Sequence, residues 1–174
     1  MEELDIVATF RETLAGVGFD LPPDVIDHVV ALDHSAYSNS ITVEAETLAV
    51  LGELGAAGYP MGLVSNVALL PHLMREDLER LGIAPHLRAS VFSSEVGVRK
   101  PDPRIFAEAL ERMAVGPAET VFVGDRLYDD VSGAQAVGMR AVQTRQFRQE
   151  ADERYRSDAV IGHLRELPEA ITRL

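Results

Sequence analysis

Residues 121–131 read Val121-Phe122-Val123-Gly124-Asp125-Arg126-Leu127-Tyr128-Asp129-Asp130-Val131. An apolar run of β-branched and aromatic residues, too short for a buried helix, stops at a glycine and is followed at once by a cluster of carboxylates. In an open parallel sheet, ligands bind beyond the carboxyl ends of the strands. The stretch therefore predicts a strand and a place for chemistry in one reading.

The same alternation continues outward on both sides. Upstream, Met61-Gly62-Leu63-Val64 and Ala89-Ser90-Val91-Phe92 are short apolar runs of the same kind. Between them lies a helical pattern with Leu73, Leu78 and Leu81 before Gly82. A further helix is opened by Pro101-Asp102-Pro103 and carries Ile105, Phe106, Ala109 and Leu110. Before the first strand, Thr42 is the expected cap of a helix with Leu48, Leu51 and Leu54 on one side, stopping at Gly58. Downstream, a short helix is expected over 131–137, with Asp129 or Asp130 at its N-cap. Strands follow around Ala141-Val142 and Ala159-Val160-Ile161, and a helix over 164–171 closes the chain. Residues 143–158 carry four arginines without apolar period and read as a surface loop or frayed helix. Apolar strands separated by helices imply βαβ units and a parallel sheet covered on both faces, an α/β fold.

The first forty residues differ. Leu4, Val7, Phe10, Leu14 and Val17, then Val25, Val29, Leu32 and Ala36, keep helical spacing. Gly16, Gly18 and Leu21-Pro22-Pro23-Asp24 separate the two runs, and Pro23 with Asp24 starts the second helix near residue 24. The chain thus divides into a helical hairpin over 1–40 and an α/β core over 41–174.

Composition limits the function. The 174 residues are 47% hydrophobic and 25% charged, enough to bury a core and too few for several domains. Lys and Arg number 16 against 28 Asp and Glu, a net charge of -12 that repels phosphate backbones and anionic lipid, so neither nucleic acid nor a membrane is an expected partner. The absence of cysteine excludes disulfides and thiolate metal sites. Met1-Glu2-Glu3-Leu4-Asp5 is acidic where a secretory signal is basic, and no apolar stretch reaches a membrane span, so the expected setting is cytoplasmic.

The residues just after the predicted strands make a coherent set: Ser65 and Asn66, then Glu95 and Arg99-Lys100-Pro101, then the acids from Asp125. A transferring phosphoryl group carries charge spread over its oxygens, and positioned donors, cations and a metal stabilise it. Ser65 and Asn66 can donate, and Lys100 adds a compact positive charge. It is the only lysine, the other fifteen basic residues being arginine, which suggests a role that guanidinium does not fill. Asp125, backed by Asp129 or Asp130, offers hard oxygen ligands of the kind Mg²⁺ takes. Each residue alone also has a structural reading: Ser-Asn as turn chemistry, Lys100 as a solvated loop residue, Asp129 or Asp130 as a helix cap.

Leu63-Val64-Ser65-Asn66, the run Glu95-Val96-Gly97-Val98-Arg99-Lys100-Pro101-Asp102-Pro103-Arg104-Ile105-Phe106, and 121–131 with Gly133-Ala134 and Ala136-Val137-Gly138-Met139 together resemble the haloacid dehalogenase superfamily of hydrolases over residues 41–171. The resemblance implies a Rossmann-like three-layer αβα core, with residues 1–40 as part of a helical cap that closes over the site. It implies a Mg²⁺-dependent hydrolase of small phosphorylated metabolites working through an aspartyl-phosphate. In it Ser65 and Asn66 hold the phosphoryl oxygens, Lys100 stabilises charge on nucleophile and phosphate, and Asp125 binds Mg²⁺ with Asp130 or Asp129. Val131-x-Gly133-Ala134 favours Asp130.

One departure stands out. Members of the superfamily carry their nucleophile on a first strand ending in Asp-x-Asp or a variant of it, placed before the cap and centrally in the sheet. No Asp-x-Asp occurs in this sequence. The chain is accordingly expected to lack the central first strand and to be inactive as it stands. Its two flanking strands are expected either to close into a narrower sheet or to leave exposed edges on a marginally folded, aggregation-prone protein. Val29-Val30-Ala31-Leu32-Asp33-His34-Ser35 offers Asp33 as a substitute nucleophile, but its apolar spacing is helical. Two rival functions remain: a non-catalytic remnant binding a phosphorylated ligand or partner, and a 2-haloacid dehalogenase. The latter subgroup resembles this chain but needs no metal and does not keep the acidic cluster after Gly124.

Overall fold

The short apolar runs become strands and the amphipathic runs between them become helices in a computed structural model that describes residues 2–174. Asp5 caps α1 (Ile6–Gly16), its carboxylate accepting from the Ala8 N–H at 2.9 Å. Pro23 opens α2 (Pro23–Ser38) with Asp24 in its first turn, as the sequence predicts. Asp33 lies inside this helix and ends no strand, which removes it as a substitute nucleophile at the sheet.

α3 (Ala45–Ala56) begins later than expected, with Glu44 in place of Thr42 at its N-cap and no side-chain capping bond. Gly58, at φ +86°, takes the left-handed conformation that ends the helix. There follow β1 (Met61–Ser65), α4 (Pro71–Arg80), β2 (Leu87–Phe92), the single turn α5 (Ser93–Val96) and α6 (Pro103–Met113). Asp102 caps α6 through the Arg104 N–H at 3.0 Å. β3 (Val121–Gly124) leads into a wide π-helical turn, Leu127–Ser132, and then α7 (Gly133–Ala136). Both Asp129 and Asp130 lie within that turn, so neither is the helix cap the sequence suggests. β4 (Arg140–Thr144), β5 (Ala159–Ile161) and α8 (Leu167–Ile171) complete the chain. Gln143 belongs to β4 and is 2% exposed, so the polar loop starts at 145 rather than 143.

All strand pairs are parallel, as expected. β1 pairs with β2, Val64 opposite Val91. β3 pairs with β4, Val123 opposite Val142, and β4 with β5, Gln143 opposite Val160. These form two sheets, β1-β2 and β3-β4-β5, with no ladder between β1 and β3. The narrower continuous sheet is therefore not what this chain forms.

Two apolar layers nevertheless span both sheets. On one face, Val91 and Val64 of the first sheet pack with Phe122 and Ala141 of the second beneath Ile105, Phe106 and Ala109 of α6 and Ala134 of α7. On the other, Met61 joins Val121, Val123, Val142 and Ile161 under Val50 and Leu54 of α3 and Leu167 of α8. The result is a three-layer αβα core interrupted between β1 and β3. The helical hairpin sits apart from these layers: α1 buries none of its residues, and α2 buries Ile26, Val30, His34 and Ser38. Among the described residues no helix is long and apolar enough to cross a membrane.

Candidate active site

Lys100 stands where the two sheets come together. Its ammonium donates to the Val64 carbonyl of β1 at 3.0 Å, lies 2.7 Å from Asp130 Oδ1, and sits 5.3 Å from the centre of the Phe122 ring of β3. The pair is buried, with side chains 12% and 5% exposed. Asn66 fixes the lysine from behind. Its Oδ1 accepts from the Lys100 N–H at 2.7 Å and its Nδ2 donates to the Lys100 carbonyl at 3.1 Å. Both polar atoms of that amide are thus spent on the Lys100 backbone, which makes Asn66 a positioning group here. The Ser65 hydroxyl, at the end of β1, forms no hydrogen bond with another described residue.

Glycine at 124 is what allows Asp130 to fold back onto the strand end. A Cβ there would lie 2.4 Å from Asp130 Cβ and 2.5 Å from its Cγ and Oδ2. The carboxylate is held by the Arg126 N–H, which donates to Oδ2 at 3.0 Å. Oδ1 is buried and faces the Lys100 ammonium as an ion pair at 2.7 Å. Asp129 pairs instead with Arg126, Nη1 to Oδ2 at 3.2 Å. Asp125 is more open and takes Arg148 Nε on its Oδ2 at 3.1 Å. Of the two alternative acids, then, Asp130 is the one beside Lys100.

The carboxylate oxygens of Asp125 and Asp130 are hard donors that suit Mg²⁺, which needs one or two carboxylates besides water and substrate oxygens. They do not form a tight three-ligand cage with Asp129. The one group among the described residues whose ligand atoms all lie within 4.8 Å of each other is Glu44, Glu46 and His163, away from Lys100's partners.

Two residues marked by the sequence go elsewhere. Glu95 binds Arg75 Nη2 at 2.9 Å and Arg112 Nη1 at 3.0 Å, and although burial pushes its carboxyl up, those guanidinium groups hold it below the usual range. Arg99 pairs with Glu3, whose carboxylate also accepts from the buried Ser93 hydroxyl. Sequence reading missed Arg148 and Glu150. The latter accepts from the Leu127 N–H at 3.0 Å and so pins the polar loop to the acidic turn. The four arginines in a segment without apolar period were the available signal, but spacing alone could not tell which of them turns toward the site.

The family model for haloacid dehalogenase-like hydrolases matches residues 6–138. A glyceraldehyde 3-phosphate phosphatase of Methanopyrus kandleri is 35% identical over 136 residues, 78% of this chain and 58% of that protein. The chain thus spans little more than half the length of this relative. Among solved structures, a HAD phosphatase from Thermococcus onnurineus aligns with TM-score 0.71 and 26% identity over 95% of this chain and 75% of that one. A 2-haloacid dehalogenase from Pseudomonas syringae aligns with TM-score 0.74 and 27% identity, covering 96% and 70%.

Proposed function

The chain belongs to the haloacid dehalogenase-like hydrolases, and from that premise we propose that its site serves Mg²⁺-dependent hydrolysis of small phosphate monoesters in the cytoplasm. The observation that carries this reading is the buried Lys100–Asp130 pair at the carboxyl end of β3, next to Asp125. What favours phosphate over halide chemistry is the cluster Asp125, Asp129 and Asp130 after Gly124, hard oxygen donors that suit a divalent metal. The likeness to the Pseudomonas syringae dehalogenase is accommodated by a shared fold.

In the proposed site the unpartnered Ser65 hydroxyl donates to a phosphoryl oxygen, Asn66 keeps the Lys100 loop on β1, and Lys100 offsets charge on the phosphoryl group and its acceptor. Asp125 and Asp130 would hold Mg²⁺, which when bound supplies charge stabilisation to the phosphoryl oxygens. The phosphoryl acceptor would be a further carboxylate at Lys100, since Asp130, the one described carboxylate paired with that ammonium, is assigned to the metal. β1 and β3 form no ladder with each other, so each keeps an edge with which an extended segment ending in that carboxylate would pair, near the Lys100 ammonium on the Val64 carbonyl. Residues 1–40 act as a partial cap over this rim. A binding remnant without turnover is the second reading, favoured by the same lack of an acceptor.

The test is phosphate release from an aryl phosphate with Mg²⁺. The 174-residue chain should show no meaningful turnover; if the reading frame continues upstream, the extended version should be active. In that version Lys100→Ala or Asp125→Asn should each cost about a hundredfold or more. Full activity in either variant refutes the assigned roles.

A further inference from the structure

Each acid after β3 has its own internal cation: Lys100 for Asp130, Arg126 for Asp129, Arg148 for Asp125. The pairs differ in burial. Lys100 and Asp130 are locked inside, but Arg148 and Asp125 have side chains 48% and 35% exposed. The segment carrying Arg148 is itself tied down on both sides. Gln149 Nε2 donates to the Arg145 carbonyl at 2.8 Å, and the buried Gln143 donates through Nε2 to the Glu150 carbonyl at 2.8 Å. Glu150 in turn receives the Leu127 N–H, two residues beyond Asp125. A fixed backbone thus holds a long cationic side chain against one carboxylate oxygen, at a place where water can replace it.

We propose that Arg148 is a built-in counter-cation that competes with the divalent metal for Asp125 and thereby sets the protein's metal affinity. This rests on the reading of Asp125 as a metal ligand. The argument is electrostatic. A guanidinium on Oδ2 and a divalent ion on either oxygen of the same carboxylate repel each other at close range, so metal binding is opposed by the Arg148 contact and weakens it in return. An exposed ion pair of this sort is weak enough to yield and strong enough to register. Once displaced, the guanidinium stays at the rim on its tethered loop, positioned to meet an anionic substrate after the metal is in place rather than before.

Calorimetric titration of Mg²⁺ into the full natural protein, without substrate, tests the proposal. Arg148→Ala and Arg148→Gln should tighten Mg²⁺ binding by about two- to fivefold, and Arg148→Lys, which keeps the charge, should fall between them and the natural protein. Thermal melts of the metal-free variants confirm that they fold. Unchanged or weaker binding in Arg148→Ala, with Asp125→Asn still losing affinity, overturns the role of Arg148 and leaves the metal site standing. If Asp125→Asn binds Mg²⁺ as well as the natural protein, or the natural protein binds none, the reading of Asp125 falls and this inference falls with it.

Discussion

Lys100 and Gly124 show how much of the site single residues decide. Lys100 was conspicuous in the sequence as the only lysine, and its ammonium does bridge β1 to the acidic turn. Gly124 was legible only as the end of a strand; that it must lack a Cβ follows from Asp130 folding back onto it, which no sequence pattern reports. Gly124→Ala should force the Asp130 carboxylate off its contact with Lys100 and cost about 1 to 3 kcal/mol, the range for overpacking a tight site. A denaturant midpoint equal to that of the natural protein would show that the turn relaxes freely. Asn66 carries the opposite lesson. Its position at a strand end was readable, but its engagement with a backbone 34 residues away was not.

Between elements, the hairpin and the core meet at a buried polar network. His34 Nε2 lies 3.0 Å from Asp77 Oδ2, the Ser38 hydroxyl donates to Asp77 Oδ1, and Arg80 donates to Asp77 at 3.1 Å and to the Ser38 carbonyl at 2.8 Å. Burial pushes the Asp77 carboxyl up, yet the Ser38 and Arg80 hydrogen bonds and the neighbouring charges hold it below its ordinary value near 3.8. A carboxyl depressed by folding contributes stability above its unfolded value and loses it as pH falls through the lower folded one. The docking of α2 on α4 should therefore weaken below about pH 4. Hydrogen exchange of the α2 amides at pH 5 and pH 3 checks this, and Asp77→Asn should remove the pH dependence while weakening the docking throughout. Equal protection at both pH values would contradict it. Helical spacing predicted α1 and α2 almost to their ends, because periodicity is local. The contacts that join α2 to α4 link residues 39 or more apart in the chain, and the π turn depends on how Asp130 folds back, so neither appears in a periodic pattern.

At the scale of the molecule, alternating strands and helices were enough to predict the three layers, the parallel pairing and the rim at which the acids gather. How β1 and β3 would accommodate each other was not, since edge pairing is a long-range choice: the structure keeps two sheets under common helical layers. No residue of β1 or β3 is fully buried, so a strand added between them would cover surface that the 174-residue chain leaves accessible. An upstream-extended version should therefore unfold at a higher denaturant midpoint and with a steeper slope than the 174-residue chain, because it buries more surface. Equal midpoints and slopes would mean that the two-sheet arrangement is sufficient. The central claim is that this rim performs metal-dependent phosphate chemistry. Its most direct test is to give the extended protein an aryl phosphate and 2-chloropropionate in parallel, with Mg²⁺ and with chelator, and to measure phosphate and chloride released. Phosphate release that requires Mg²⁺, with no chloride, is the predicted result; chloride release, or turnover that survives the chelator, would contradict it.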